Sequence, residues 1–170
     1  KFTFSMRYFL ILLSCLWCLA ACEKPQTPKV PFANTDITGL DYARGFSLTD
    51  HRGTPRTLAD FKGKVVVLFF GYTQCPDVCP TTLQELTQAR QLLGPLGDRV
   101  QGIFVTVDPE RDTPAVMRAH AKEIGADLKT WTFLTGEAKA VTDFANKFGV
   151  YVVRAPNDER DITHNLRTAI

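Results

Sequence analysis

The apolar run Val65 to Phe70 limits what this chain can become more than any other feature. It is β-branched and aromatic with no polar side, so as a strand it needs cover on both faces, which makes it a central strand of a layered α/β sheet. The run stops at Gly71, and "YTQCPDVCPTTL" follows, with Cys75 and Cys79 separated by three residues and prolines at 76 and 80. Thr81 and Thr82 stand three residues before Gln84 and Glu85 and offer capping boxes. Leu83, Leu86, Ala89 and Leu93 then keep a helical period until Gly94-Pro95. The cysteines therefore fall where a strand hands over to a helix.

The same alternation continues downstream. "VQGIFVTVD" reads as a second buried strand. In "DTPAVMRAHAKEIG", Thr113 caps a helix with Pro114 at its first position, Val116 or Met117, Ala121 and Ile124 facing inward, and Gly125 ending it. A third helix spans roughly Glu137 to Phe148, with Val141, Phe144, Ala145 and Phe148 on one stripe before Gly149. "VYVVR" reads as a further strand. Upstream, a short alternating segment runs into a turn at Asp50 to Gly53. Strands alternating with helices of this length imply an α/β fold with parallel pairings. At 170 residues and 45% apolar composition, one domain with a proper core accounts for the chain. "APNDERDIT" is read as a polar loop, and His164 as opening the last strand. That strand, from Leu166 onward, has no partner in the reading, which therefore expects a chain lacking its C-terminal part.

The N-terminal region carries different information. From Met6, one positive charge precedes an apolar run, Tyr8 to Ala21, that is short for a membrane span and placed like a signal-peptide core. Lys1 is not an initiator, so the residues before Met6 are read as upstream sequence. Leu19-Ala20-Ala21-Cys22 resembles the bacterial lipobox, in which the cysteine is lipid-modified; the alternative is an ordinary signal peptide with a chance cysteine. On the first reading, residues 1–21 are a lipoprotein signal peptide and the chain is exported and held to a membrane through Cys22. Residues 22–35, with prolines at 25, 28 and 31, form an extended tether, and 36–170 form the domain. From Cys22 to Ile37 the tether would reach about 45 Å at ~3.1 Å per residue. Lys1 and Arg7 lie before Cys22, and beyond them 18 basic residues face 18 acidic ones. No basic surplus is left for phosphates, so nucleic acid is not an expected partner. Cys15 and Cys18 leave with the signal peptide. If Cys22 carries lipid, Cys75 and Cys79 are a pair by themselves in an oxidising compartment.

Soft sulfur in an exported domain suits Cu(I) or a redox disulfide. Both need a thiolate, and free N–H groups at a helix mouth stabilise negative charge on the nearer sulfur, Cys75. Residues four apart on a helix hold their Cβ atoms about 5–6 Å apart, wider than the ~3.8 Å of a relaxed disulfide. Closing that bond would bend the first turn and leave it reducible, whereas the reduced pair can converge on one metal. A third ligand is then expected. Of His51, His120 and His164, the first two read as ordinary turn and helix residues, and His164, near a strand end of an α/β sheet, is the candidate. Asp77 either tunes the site or caps the helix, and Asp108 and Asp112 read as turn and cap chemistry outside the ligand set.

"DITGLDYARGFSLTDHRGTPRTLADFKGKVVVLFFGYTQCPDVCPTTL", then "VTVDPERDTP", then His164, resemble the SCO/SenC family of copper chaperones for cytochrome c oxidase, from about Phe32 to the end. The resemblance implies a thioredoxin-like sheet flanked by helices. It implies that Cys75, Cys79 and His164 bind copper and that the two cysteines can form a redox-active disulfide. It further implies delivery to the copper-A subunit of the oxidase, with other copper carriers or thiol reductants as upstream partners. Asn165 stands where serine is commonest, and the resemblance leads to the expectation that the fold's closing hairpin and helix are missing from this chain.

The rival from the enzyme class is a thiol-disulfide reductase that keeps the acceptor's cysteines reduced. Against it, thioredoxin-type enzymes use a tighter Cys-x-x-Cys, and no proline immediately precedes the final strand here. A peroxiredoxin-like peroxidase would use Thr73 and Cys75 but lacks its upstream proline, with Phe69 to Tyr72 in that place. Zinc is disfavoured because three good ligands are visible where a structural site normally takes four.

Overall fold

The structure is a computed structural model that describes residues 45–155, 158–164 and 168–169, all within the second of two units, residues 40–170. Cys22, the signal peptide and the tether lie outside the described residues.

Chain order gives β1 (Ser47–Asp50), β2 (Pro55–Thr57), β3 (Val65–Gly71), α1 (Val78–Leu92), β4 (Val100–Thr106), α2 (Pro114–Glu123), β5 (Trp131–Thr135), α3 (Ala138–Lys147), β6 (Val152–Ala155), β7 (Asp158–His164) and β8 (Thr168–Ala169). Eight of these are strands, and six form one sheet in the order β2-β1-β5-β4-β3-β8. β3, β4 and β5 run parallel, while β1 and β8 pair antiparallel at the flanks. The expected central strand is β3, buried from Val67 onward.

Alternation along the strands divides the core in two. Leu68, Phe70, Ile103, Val105 and Leu134 pack with Val141, Phe144 and Ala145 of α3 on one face. Phe69, Phe104, Phe133 and Trp131 pack with Leu83 of α1 and Met117 and Ala121 of α2 on the other. Each fully buried phenylalanine contributes on the order of 1.5–3 kcal/mol by leaving water. Phe69, Phe70, Phe104 and Phe133, all 1% exposed or less, therefore anchor both layers.

Several expectations need correction. β5 has no clear local signal in the sequence, because "WTFLT" alternates with threonines over only five residues. α1 begins at Val78, ahead of the expected threonine capping boxes; the Thr81 hydroxyl instead donates to the carbonyl of Asp77 at 2.9 Å. On α2 the inward residue is Met117, and Val116 is 41% exposed. The Thr113 hydroxyl does cap that helix, accepting from the N–H of Val116. β6 forms a separate two-stranded sheet with β7, so 158–164 is a strand and not a polar loop. His164 accordingly closes β7 and does not open the final strand. β8 has a partner, with Ala169 opposite Leu68 and Thr168 opposite Phe69 of β3.

Candidate functional site

β3 and β4 are parallel and in register to their ends, with Gly71 opposite Thr106. The loops that follow them therefore leave the sheet side by side, the end where open α/β sheets build sites. The ladder continues one step further, as the N–H of Val107 donates to the carbonyl of Gly71 at 2.8 Å.

On the first loop, the N–H of Cys75 donates to the carbonyl of Tyr72 at 3.3 Å, making a tight turn that leaves Cys75 half-buried between the two cores. Asp77 occupies the N-cap position of α1, but its side chain makes no capping hydrogen bond. Cys79 lies in the first turn of α1 and is fully buried. Its backbone N–H points at the sulfur of Cys75, 3.4 Å away. This is the helix-mouth contact the sequence implies, with the nearer sulfur receiving the donor. Both cysteines are free thiols. Burial, reinforced by the Cys75 side chain, pushes the Cys79 thiol up to about 12. The two sulfurs are thus unequal: one reachable and facing a helix N–H, the other sealed beneath it and protonated at neutral pH.

His164 is half-buried at the end of β7, and its ring meets that of Tyr72 edge-on, centroids 5.9 Å apart. The fold places it beside the residue whose carbonyl closes the Cys75 turn. Among the described residues, however, no three His, Cys, Asp or Glu side chains gather closely enough to hold a metal ion. The cysteines are brought together; the histidine is brought as far as Tyr72.

The other histidines stay out of the site. His51 is buried, not solvated, and its Nδ1 accepts from the N–H of Phe133 at 3.4 Å, which leaves its proton on Nε2. Burial lowers the pKa of His51 and of His120, a half-buried residue of α2.

The sequence reads Asp108 and Asp112 as turn and cap residues and gives no sign of the contacts that the Asp112 side chain makes. Asp112 is fully buried; its carboxylate accepts from the N–H of Thr73 at 3.0 Å, the hydroxyl of Thr73 at 2.5 Å and the hydroxyl of Thr106 at 2.6 Å. Burial raises its pKa against the pull of these bonds. Asp108, also buried, pairs with Arg111, whose Nη1 donates to Oε1 of Gln74 at 3.2 Å. The usable signal was topological: loops after adjacent parallel strands must meet, so "DPERD" had to lie against "YTQC".

The family model described as SCO1/SenC matches residues 35–170. A protein described as "Protein SCO2 homolog, mitochondrial" from Mus musculus is 42% identical over 145 residues, covering 84% of this chain and 56% of that one. The chain spans about half the length of the curated relatives it matches. Among solved structures, Bradyrhizobium japonicum ScoI with copper bound is 36% identical with a TM-score of 0.62, covering 72% of this chain and 76% of that one. A structure titled as identifying a disulfide switch in BsSco, a member of the Sco family of cytochrome c oxidase assembly proteins, is 25% identical with a TM-score of 0.59, over 74% and 76% of the two chains.

Proposed function

This chain belongs to the SCO1/SenC family, and from that premise we propose that it is a membrane-tethered carrier delivering copper to the copper-A subunit of cytochrome c oxidase. The observation that supports the reading is the pairing of Cys75 and Cys79 at the mouth of α1, with the Cys79 N–H on the Cys75 sulfur. Two soft sulfur donors, one of them accessible, fit Cu(I) better than a hard or borderline cation. Cys75 and Cys79 would hold the ion, with His164, already against Tyr72, as the proposed third ligand. Cys79 gives up on binding the proton that burial keeps on it, so uptake is coupled to proton release. The bound copper is cargo, received from other copper carriers, while thiol reductants keep the pair reduced.

Residues 1–21 direct export, Cys22 takes the lipid, and 22–35 hold the domain, 36–170, away from the membrane in the periplasm or another extracytoplasmic space.

The inequality of the two thiols favours a second role for the same residues. As a thiol-disulfide reductase, Cys75 would attack an acceptor disulfide and Cys79 would then displace the acceptor's thiol. The acceptor gains two electrons as the Cys75–Cys79 disulfide forms. Loading the reduced protein with Cu(I) against a competing chelator separates the roles. The carrier reading expects one tight equivalent, lost in Cys75→Ser. Turnover of a disulfide substrate with no stoichiometric copper binding supports the reductase instead.

A further inference from the structure

We infer that Asp112 is a positioning residue for the thiol pair, its buried carboxylate fixing the Cys75 loop to the end of β4 through Thr73. One carboxylate gathers three donors from two separate segments: the N–H and hydroxyl of Thr73 on the cysteine loop, and the hydroxyl of Thr106 at the end of β4. Gln74, the next residue of that loop, is held in turn by Arg111. Consecutive residues before Cys75 are thus clamped by consecutive residues of the acidic turn.

Ordinary turn or cap chemistry does not account for this arrangement. The turn is closed by backbone, with the N–H of Asp112 donating to the carbonyl of Asp108 at 2.9 Å. α2 is capped by the hydroxyl of Thr113. The Asp112 side chain serves neither, and a fully buried carboxylate is costly unless its partners are fixed around it. What its bonds do fix is the backbone two residues before Cys75. That backbone leads directly into the Tyr72–Cys75 turn that sets the Cys75 sulfur before the Cys79 N–H.

The inference rests on reading Cys75 and Cys79 as the working thiols, and its test uses no copper. In the reduced, metal-free protein, the rate of Cys75 alkylation by iodoacetamide and the dithiol–disulfide equilibrium against glutathione are measured beside thermal stability. Asp112→Ala and Thr73→Val should each slow Cys75 alkylation by about threefold or more, through loss of the helix N–H contact. Each should also shift the glutathione equilibrium by about threefold or more. Asp112→Asn, which keeps an acceptor for Thr73 and Thr106, should stay within about twofold of wild type. The Thr73→Val/Asp112→Ala double variant should add little to Asp112→Ala, because the two residues act as one unit. If Asp112→Ala does not fold, Thr73→Val, at a half-buried loop position, decides the matter. Unchanged alkylation and equilibrium in the folded variants, whatever their melting temperatures, would overturn the inference. A wild type that fails to bind Cu(I) but passes these tests would overturn only the carrier reading.

Discussion

Gly71 leaves open the space that the sulfur of Cys79 fills: a Cβ built on Gly71 would stand 2.9 Å from that sulfur and 2.9 Å from the Phe104 ring. Strand β3 can therefore carry a buried thiol directly against its backbone only because this position has no side chain. Gly71→Ala should destabilise the fold by about 1–3 kcal/mol through overpacking. It should also weaken Cu(I) binding, since the displaced sulfur is a proposed ligand. Urea unfolding and chelator competition on the same variant check both effects.

The two thiols should differ sharply in reactivity. With the Cys79 thiol at about 12 and fully buried, alkylation of this pair at neutral pH in the reduced, metal-free protein should fall on Cys75 and spare Cys79. In Cys75→Ser, Cys79 should react more slowly than Cys75 does in the wild type by about a hundredfold or more, because Cys79 is fully buried and burial pushes its thiol up. Peptide mapping by mass spectrometry identifies the modified residue. Equal labelling of the two cysteines would contradict the burial assigned to Cys79.

Stability should decline as the solution becomes mildly acidic. The pKa values of His51 and His120 are lowered by burial, so below the ordinary histidine value of about 6.5 the unfolded chain binds protons that the folded chain does not. That contribution is complete above about 6.5 and is lost as pH falls towards the depressed folded values. Asp112 acts in the opposite sense in a lower window: its raised pKa lets the folded state keep a proton there, so acidification towards the ordinary aspartate range relieves its burial cost. The denaturation midpoint should therefore be lower at pH 5.5 than at 7.5, with a shallower slope in His51→Gln. A flat profile between those values would contradict the lowered pKa values of both His51 and His120.

Much of this architecture is legible in the sequence, and the parts that are not share a cause. β3 and the α2 cap were readable because Val65 to Phe70, Thr113 and Pro114 act through local periodicity and capping. β5 was lost because Trp131 and Phe133 gain their burial from neighbours remote in sequence. β7 was missed for a related reason, since polar Asp158–His164 becomes a strand by pairing with β6. At the site, the cysteine pair is visible as spacing, whereas the role of Asp112 depends on its meeting Thr73, 39 positions earlier in the chain.

Copper-edge X-ray absorption of the Cu(I)-loaded protein decides whether Cys75, Cys79 and His164 share one soft ion. Wild type should show two sulfur scatterers and one imidazole nitrogen, with the nitrogen gone in His164→Ala and sulfur reduced in Cys75→Ser. A spectrum unchanged by His164→Ala, or a first shell without sulfur, would contradict that shared coordination.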